Sequence, residues 1–176
     1  GGSLDNTAID VSKFDFRMGG NPFTSQLHII TPVTDPDFKV IVQGKLNLGM
    51  VKDVYPLENG TVLNGLLDMN VNAAGKMSYV EQNKYESFRF GGIIDAKDVL
   101  FKTKSLEQDV AVRKATLTFN DRFLNLTGVS LKIGRNDLSA DGKVKNYMAY
   151  VLRDKTLKGD FNVNSTYLNI TDFMGN

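Results

Sequence analysis

The residues able to do chemistry are few and scattered. Among 176 residues there is one histidine, His28, and no cysteine. Thiol catalysis, disulfides and Cys-ligated metal are therefore excluded. One imidazole cannot build a His-rich metal site. His28 stands near Pro32 in an alternating stretch and reads as a strand residue rather than as a triad base. Two carboxylate pairs have the residue types for general acid–base work. Asp35 and Asp37 flank Pro36, and Asp95 and Asp98 bracket an expected hairpin. Aspartates in such places are explained by their hydrogen bonds to local backbone. Gly19-Gly20 and Gly91-Gly92 are too isolated to cradle a phosphate, and no nucleophile-elbow, P-loop or dinucleotide motif occurs. The expectation is a non-enzyme with no cofactor and no metal.

The elements that would position any site must then carry the function themselves. The net charge is +1, from 21 basic and 20 acidic residues spread evenly. Without a basic stripe, no nucleic-acid partner is expected. No apolar run approaches the ~18 residues of a membrane-spanning helix. Residues 1–10 read as a cloning remnant or linker, and 11–176 as a single domain, a fragment of a larger protein.

The strongest pattern is a repeated strand signature, apolar-x-Gly-x-apolar-x-apolar. It occurs at Val42-Gly44-Leu46-Leu48, Leu63-Gly65-Leu67-Met69, Ala73-Gly75-Met77-Tyr79, Phe90-Gly92-Ile94-Ala96 and Leu157-Gly159-Phe161-Val163. With 16 glycines and 41% apolar residues, chance placement gives roughly one match. Period two puts one set of side chains on one face of a strand. From 63 to 79 every odd position is apolar or glycine. That stretch is either a hairpin turning near 70–75 or one long strand bent at Gly65 and Gly75.

The remaining elements follow from turns and alternation. Strands are expected at 10–18, 23–31, 38–48, 110–119, 123–133, 138–148 and 156–166. A hairpin is expected from 85–96 and 99–104 around Lys97 and Asp98. Helical turns are expected at 50–55 and 168–174, and a polar loop at 81–84. The apolar phase slips at Thr127 and Gly128, as in a β-bulge. Phe14 to Phe23 aligns with Val129 to Leu138, matching apolar, basic, Gly and Asn positions. Two copies of a strand–turn–strand–strand–helix unit result, at about 11–57 and 123–176, with strands inserted over 58–122.

The expected fold is mainly β: a long, curved antiparallel sheet with two short helices. Eight such strands have a face of about 950 Å², against the ~300–600 Å² patch a soluble monomer exposes. The face must close as a sandwich or barrel, pack on the rest of the parent protein, or hold an apolar ligand. The candidate site residues lie on that face: Leu46, Leu48, Leu67, Met69, Ile94, Phe161 and Val163.

Three motifs carry a resemblance. Phe14-x-Phe16-x-Met18-Gly19, Leu131-x-Ile133-Gly134-x-Asn136-x-Leu138 and Thr156-Leu157-Lys158-Gly159-x-Phe161-x-Val163-Asn164-Ser165-x-x-Leu168-Asn169 resemble the C-terminal region of the AsmA family, related to TamB-like envelope proteins. The resemblance covers most of the chain from Val11 onward. It implies a taco-shaped groove with an apolar lining that carries phospholipid between the membranes of Gram-negative bacteria. It implies a periplasmic location, with inner-membrane anchoring through an N-terminal segment outside this sequence. Phospholipid acyl chains, the rest of the parent protein and other envelope proteins are the implied partners. The alternative is a closed β scaffold or protein-interaction module of the envelope without a ligand.

Overall fold

The computed structural model describes residues 4–173 except 19, 54, 83, 85, 86, 148, 149 and 151–155. Nine strands follow one another in space in the order in which they occur in sequence. They are β1 (Ala8–Met18), β2 (Asn21–Ile30), β3 (Asp37–Asn47), β4 (Val62–Lys76), β5 (Arg89–Lys102), β6 (Val110–Asn120), β7 (Phe123–Ile133), β8 (Asn136–Lys145) and β9 (Lys158–Asn164). Every neighbouring pair is antiparallel. The molecule is therefore mainly β, one long curved antiparallel sheet. It is also open, because β1 and β9 end the order and do not pair. Closure into a sandwich or barrel does not occur.

Both ends use the same local design. Met18 pairs with Asn21, and Ile133 pairs with Asn136, so two-residue loops join β1 to β2 and β7 to β8. A third strand and a 3₁₀ turn follow in each case, Leu48–Asp53 after β3 and Ile170–Phe173 after β9. Of the residues read as a remnant or linker, 8–10 belong to the sheet. Ala8 to Asp10 pair with Ile30 to His28. Asp5, in the 3₁₀ turn Leu4–Asn6, accepts the backbone N–H groups of Val33 and Thr34, each at 3.0 Å.

The alternating 63–79 stretch is one strand up to Lys76, not a hairpin. It stops there because the Asp35 carboxylate accepts both the backbone N–H and the hydroxyl of Ser78, each at 2.8 Å. Those bonds start a short helix, α1 (Met77–Glu81). Met77 and Tyr79, which continue the alternation, thus lie on a helix, and α1 replaces the start of the expected polar loop.

The hairpin expected around Lys97 and Asp98 is absent, since β5 runs through both residues. Asp98, at φ 50°, and Val99 together oppose the single residue Gly65, which makes a bulge. Gly65 has φ 120°, and a Cβ there would stand 2.6 Å from the Val99 Cα. A glycine is required for the two backbones to meet this closely. The bulge expected at 127–128 is present. Thr127 and Gly128 both oppose Asp141, whose carboxylate accepts the Gly128 N–H at 2.7 Å.

Candidate functional site: the apolar face

Side chains of paired residues point to the same face, so the strand register maps both faces of the sheet. One row crosses all nine strands: Phe16, Phe23, Gly44, Met69, Ile94, Leu117, Leu126, Gly142 and Phe161. The adjacent row also crosses all nine, from Phe14 through Ser25, Val42, Val71, Gly92, Phe119, Leu124 and Val144 to Gly159. Ser25 is the only polar side chain in either row. Eight strand spacings make each row about 38 Å long.

Six of the seven candidate residues share this face. Met69, Ile94 and Phe161 stand in the first row. Leu46 pairs with Leu67 beside it, and Val163 pairs with Ala140. Leu48 is the exception, because β3 ends at Asn47 and Leu48 opens the 3₁₀ turn. Alternation alone does not mark where a strand stops.

Three of the five signature glycines are floors for aromatic rings. A Cβ at Gly44 would meet the Phe23 ring, one at Gly75 the Phe88 ring, and one at Gly159 the Phe161 ring. Phe88, 2% exposed, is the most buried aromatic among the described residues. It packs against Phe38, Phe90 and, edge-on at 5.7 Å, Tyr79. Sequence reasoning missed Phe88. Its signal is indirect: Gly75 leaves room for a large ring from another segment.

The opposite face is polar. Asp10 faces His28 at 3.0 Å, Lys45 faces Asp68 at 3.6 Å, and Thr116 donates to Asp95 at 2.5 Å. Such exposed pairs are worth at most about 1 kcal/mol each. They also account for the residues with chemical potential. His28 faces Asp10, Asp35 caps α1, Asp95 accepts from Thr116, and Asp98 stands in a bulge. Hydrogen bonds from Ser78 hold the Asp35 carboxyl below its ordinary value. No metal-ligating cluster occurs among the described residues.

Among the described residues no second layer covers the apolar face. Among the described residues only Phe23, Phe88, Ala115, Val129 and Val144 are buried apolar side chains. Phe161 and Val163 remain 49% and 56% exposed. The accessible surface is 11796 Å², whereas a compact 19.5 kDa monomer has about 8,500 Å². An excess of about 3,300 Å² is what an open, one-layer sheet leaves in solvent.

One polar cluster is fully satisfied. Asn136, wholly buried, donates to the Ile133 carbonyl at 3.1 Å and to the Asp172 carboxylate at 3.0 Å. It accepts the Asn169 N–H at 2.6 Å. Asp137 accepts from the backbone of Thr166 and Tyr167 and from the Thr166 hydroxyl. The Asn residues of two quoted motifs, Gly134-x-Asn136-x-Leu138 and Ser165-x-x-Leu168-Asn169, thus meet and hold the C-terminal segment against β8.

No family model matches this chain, and comparison with curated proteins and with solved structures finds no match either.

Proposed function

We propose that this chain is a periplasmic segment of an AsmA-like envelope protein that supports outer-membrane biogenesis, and that its apolar face contacts phospholipid acyl chains. One observation carries the reading: two apolar rows cross an open sheet without interruption by charge. Each buried methylene contributes about 0.8 kcal/mol, so an acyl chain laid along a row ~38 Å long has ample surface to occupy. The family resemblance supplies the compartment, the parent protein and the anchor.

The test is native mass spectrometry with lipid extraction, on protein purified gently from a Gram-negative host. Phospholipid should appear in a reproducible ratio. The double variant Leu67→Asp, Phe161→Asp should lose it, while Asn70→Asp on the polar face should keep it. A clean apo mass with no uptake of added lipid would sink the reading. An envelope interaction module would then be the better reading. All seven residues of β9 are exposed, and its unpaired outer edge is open to a strand from a partner.

A further inference from the structure

An asparagine followed by glycine can be attacked at its side-chain amide by the next backbone nitrogen, because glycine has no Cβ to hinder the approach. The chain contains this dipeptide twice, at Asn59-Gly60 and at Asn64-Gly65. Both asparagines are exposed. Access of water therefore does not separate them, but their backbones do.

Asn59 and Gly60 are the central residues of a turn ahead of β4. The Thr61 N–H donates to the Glu58 carbonyl at 2.9 Å, and Gly60 takes the third position at φ 91°, as in a type II turn. The peptide plane between the central residues flips when such a turn passes from type II to type I. The atoms nearest a Cβ placed on Gly60 belong to the Lys104 side chain, a flexible stem that yields. Asn64 and Gly65 instead lie within β4. Asn64 pairs with Leu100 of β5, and a Cβ on Gly65 would meet the Val99 backbone and the Asp98 carbonyl. The Asn64 Oδ1 lies 2.9 Å from where a Cβ of Gly49 would stand, against the 3₁₀ turn after β3. Turning the peptide plane between Asn64 and Gly65 therefore means opening the sheet.

We infer that Asn59 is a site of spontaneous deamidation and that the fold protects Asn64 from the same reaction. The Gly60 nitrogen gives up its proton and bonds to the Asn59 Cγ. The Cγ–Nδ2 bond breaks, and the departing amide nitrogen takes up a proton and leaves as ammonia. The result is a cyclic succinimide. Water adds to either ring carbonyl, the bond from that carbon to the ring nitrogen breaks, and the product is aspartate or isoaspartate. Water is the one co-reactant, and nothing is oxidised or reduced. Either product sets a new carboxylate in the turn on which the Lys104 stem lies. Isoaspartate also lengthens the main chain by an atom just ahead of β4. The inference is independent of the acyl-chain reading.

The test is incubation of the folded chain at mildly alkaline pH, followed by peptide mapping in a mass spectrometer and by labelling with isoaspartyl methyltransferase. Asn59 should convert at least about tenfold faster than Asn64, the factor that a local opening of about 1.4 kcal/mol imposes on a residue within a strand. In urea, which opens the sheet, that ratio should collapse, since both asparagines precede glycine. Asn59→Gln should lose the early product, because the longer side chain closes a larger and less favourable ring. A ratio under about tenfold in the folded chain would overturn the inference. So would a ratio that persists in urea, because neighbours in sequence and not the fold would then set it. Early product that survives in Asn59→Gln would overturn it as well. Circular dichroism melts confirm that the variant folds.

Discussion

Replacing Asn136 by alanine removes three hydrogen bonds in one step. Two are neutral, to the Ile133 carbonyl and from the Asn169 N–H, and one is to the Asp172 carboxylate. Neutral bonds contribute about 1 kcal/mol each and a bond to a charged group about 1.5–3, so the gross loss is about 4 kcal/mol. Part is recovered, because the segment after β9 can detach and rehydrate its polar groups. The expected net loss is about 2–3 kcal/mol in urea unfolding. The more specific assay is amide hydrogen exchange. The N–H groups of Thr166, Tyr167 and Asn169 all donate into this cluster. Their exchange should quicken by about 30- to 150-fold, the factor equivalent to 2–3 kcal/mol. Exchange in β4 should change far less. If stability drops by under about 0.5 kcal/mol and these amides exchange as before, Asn136 does not hold the segment.

Three further outcomes are expected. Gly65→Ala should cost about 2 kcal/mol or more in urea unfolding, since it strains a positive-φ residue and drives a methyl into the Val99 backbone. Burial, and secondarily the charge of Asp121, pushes the Tyr147 phenol up to about 12, and the phenol donates to the Asn120 carbonyl at 2.6 Å. Its stabilising effect should be complete below the ordinary value of 10.0 and lost as pH rises through the shifted one. Ultraviolet phenolate titration should show one late tyrosine, absent in Tyr147→Phe. Hydrogen bonds from Thr166 and Tyr167 hold the Asp137 carboxyl below 3.8. Its contribution should be complete above that ordinary value and lost as pH falls through the lowered one. Asp137→Asn should therefore blunt the acid release of residues 166–173, followed by NMR.

Much of the sheet was legible because its signal is local. Period-two alternation located β6 and β7 to within a residue, and the phase slip located the bulge at Thr127 and Gly128. Errors arose where a distant residue decided the local outcome. The helix at Met77 depends on Asp35, far back in the chain, and no alternation rule contains that contact. Lys97 and Asp98 misled because turns and bulges favour the same residue types. Whether Gly65 lies opposite Asp98 is a matter of register, which a single strand does not state. The apolar face was legible in six of its seven candidates, since facing follows from parity. Whether that face is covered was not, because open and closed sheets share one alternation.

The strand order also governs how the molecule behaves under load. Each strand is hydrogen-bonded only to the strands before and after it in the chain. Tension applied at the two ends should therefore unzip the sheet one strand at a time, beginning at an edge. The same topology makes the hairpin the natural unit of length. Deleting or adding two adjacent strands preserves both the direction of the chain and the sidedness of every remaining residue. A single strand added or lost reverses the direction of everything downstream. A sheet of this kind can be lengthened or shortened in pairs of strands, and the apolar rows lengthen or shorten with it by about 10 Å per pair.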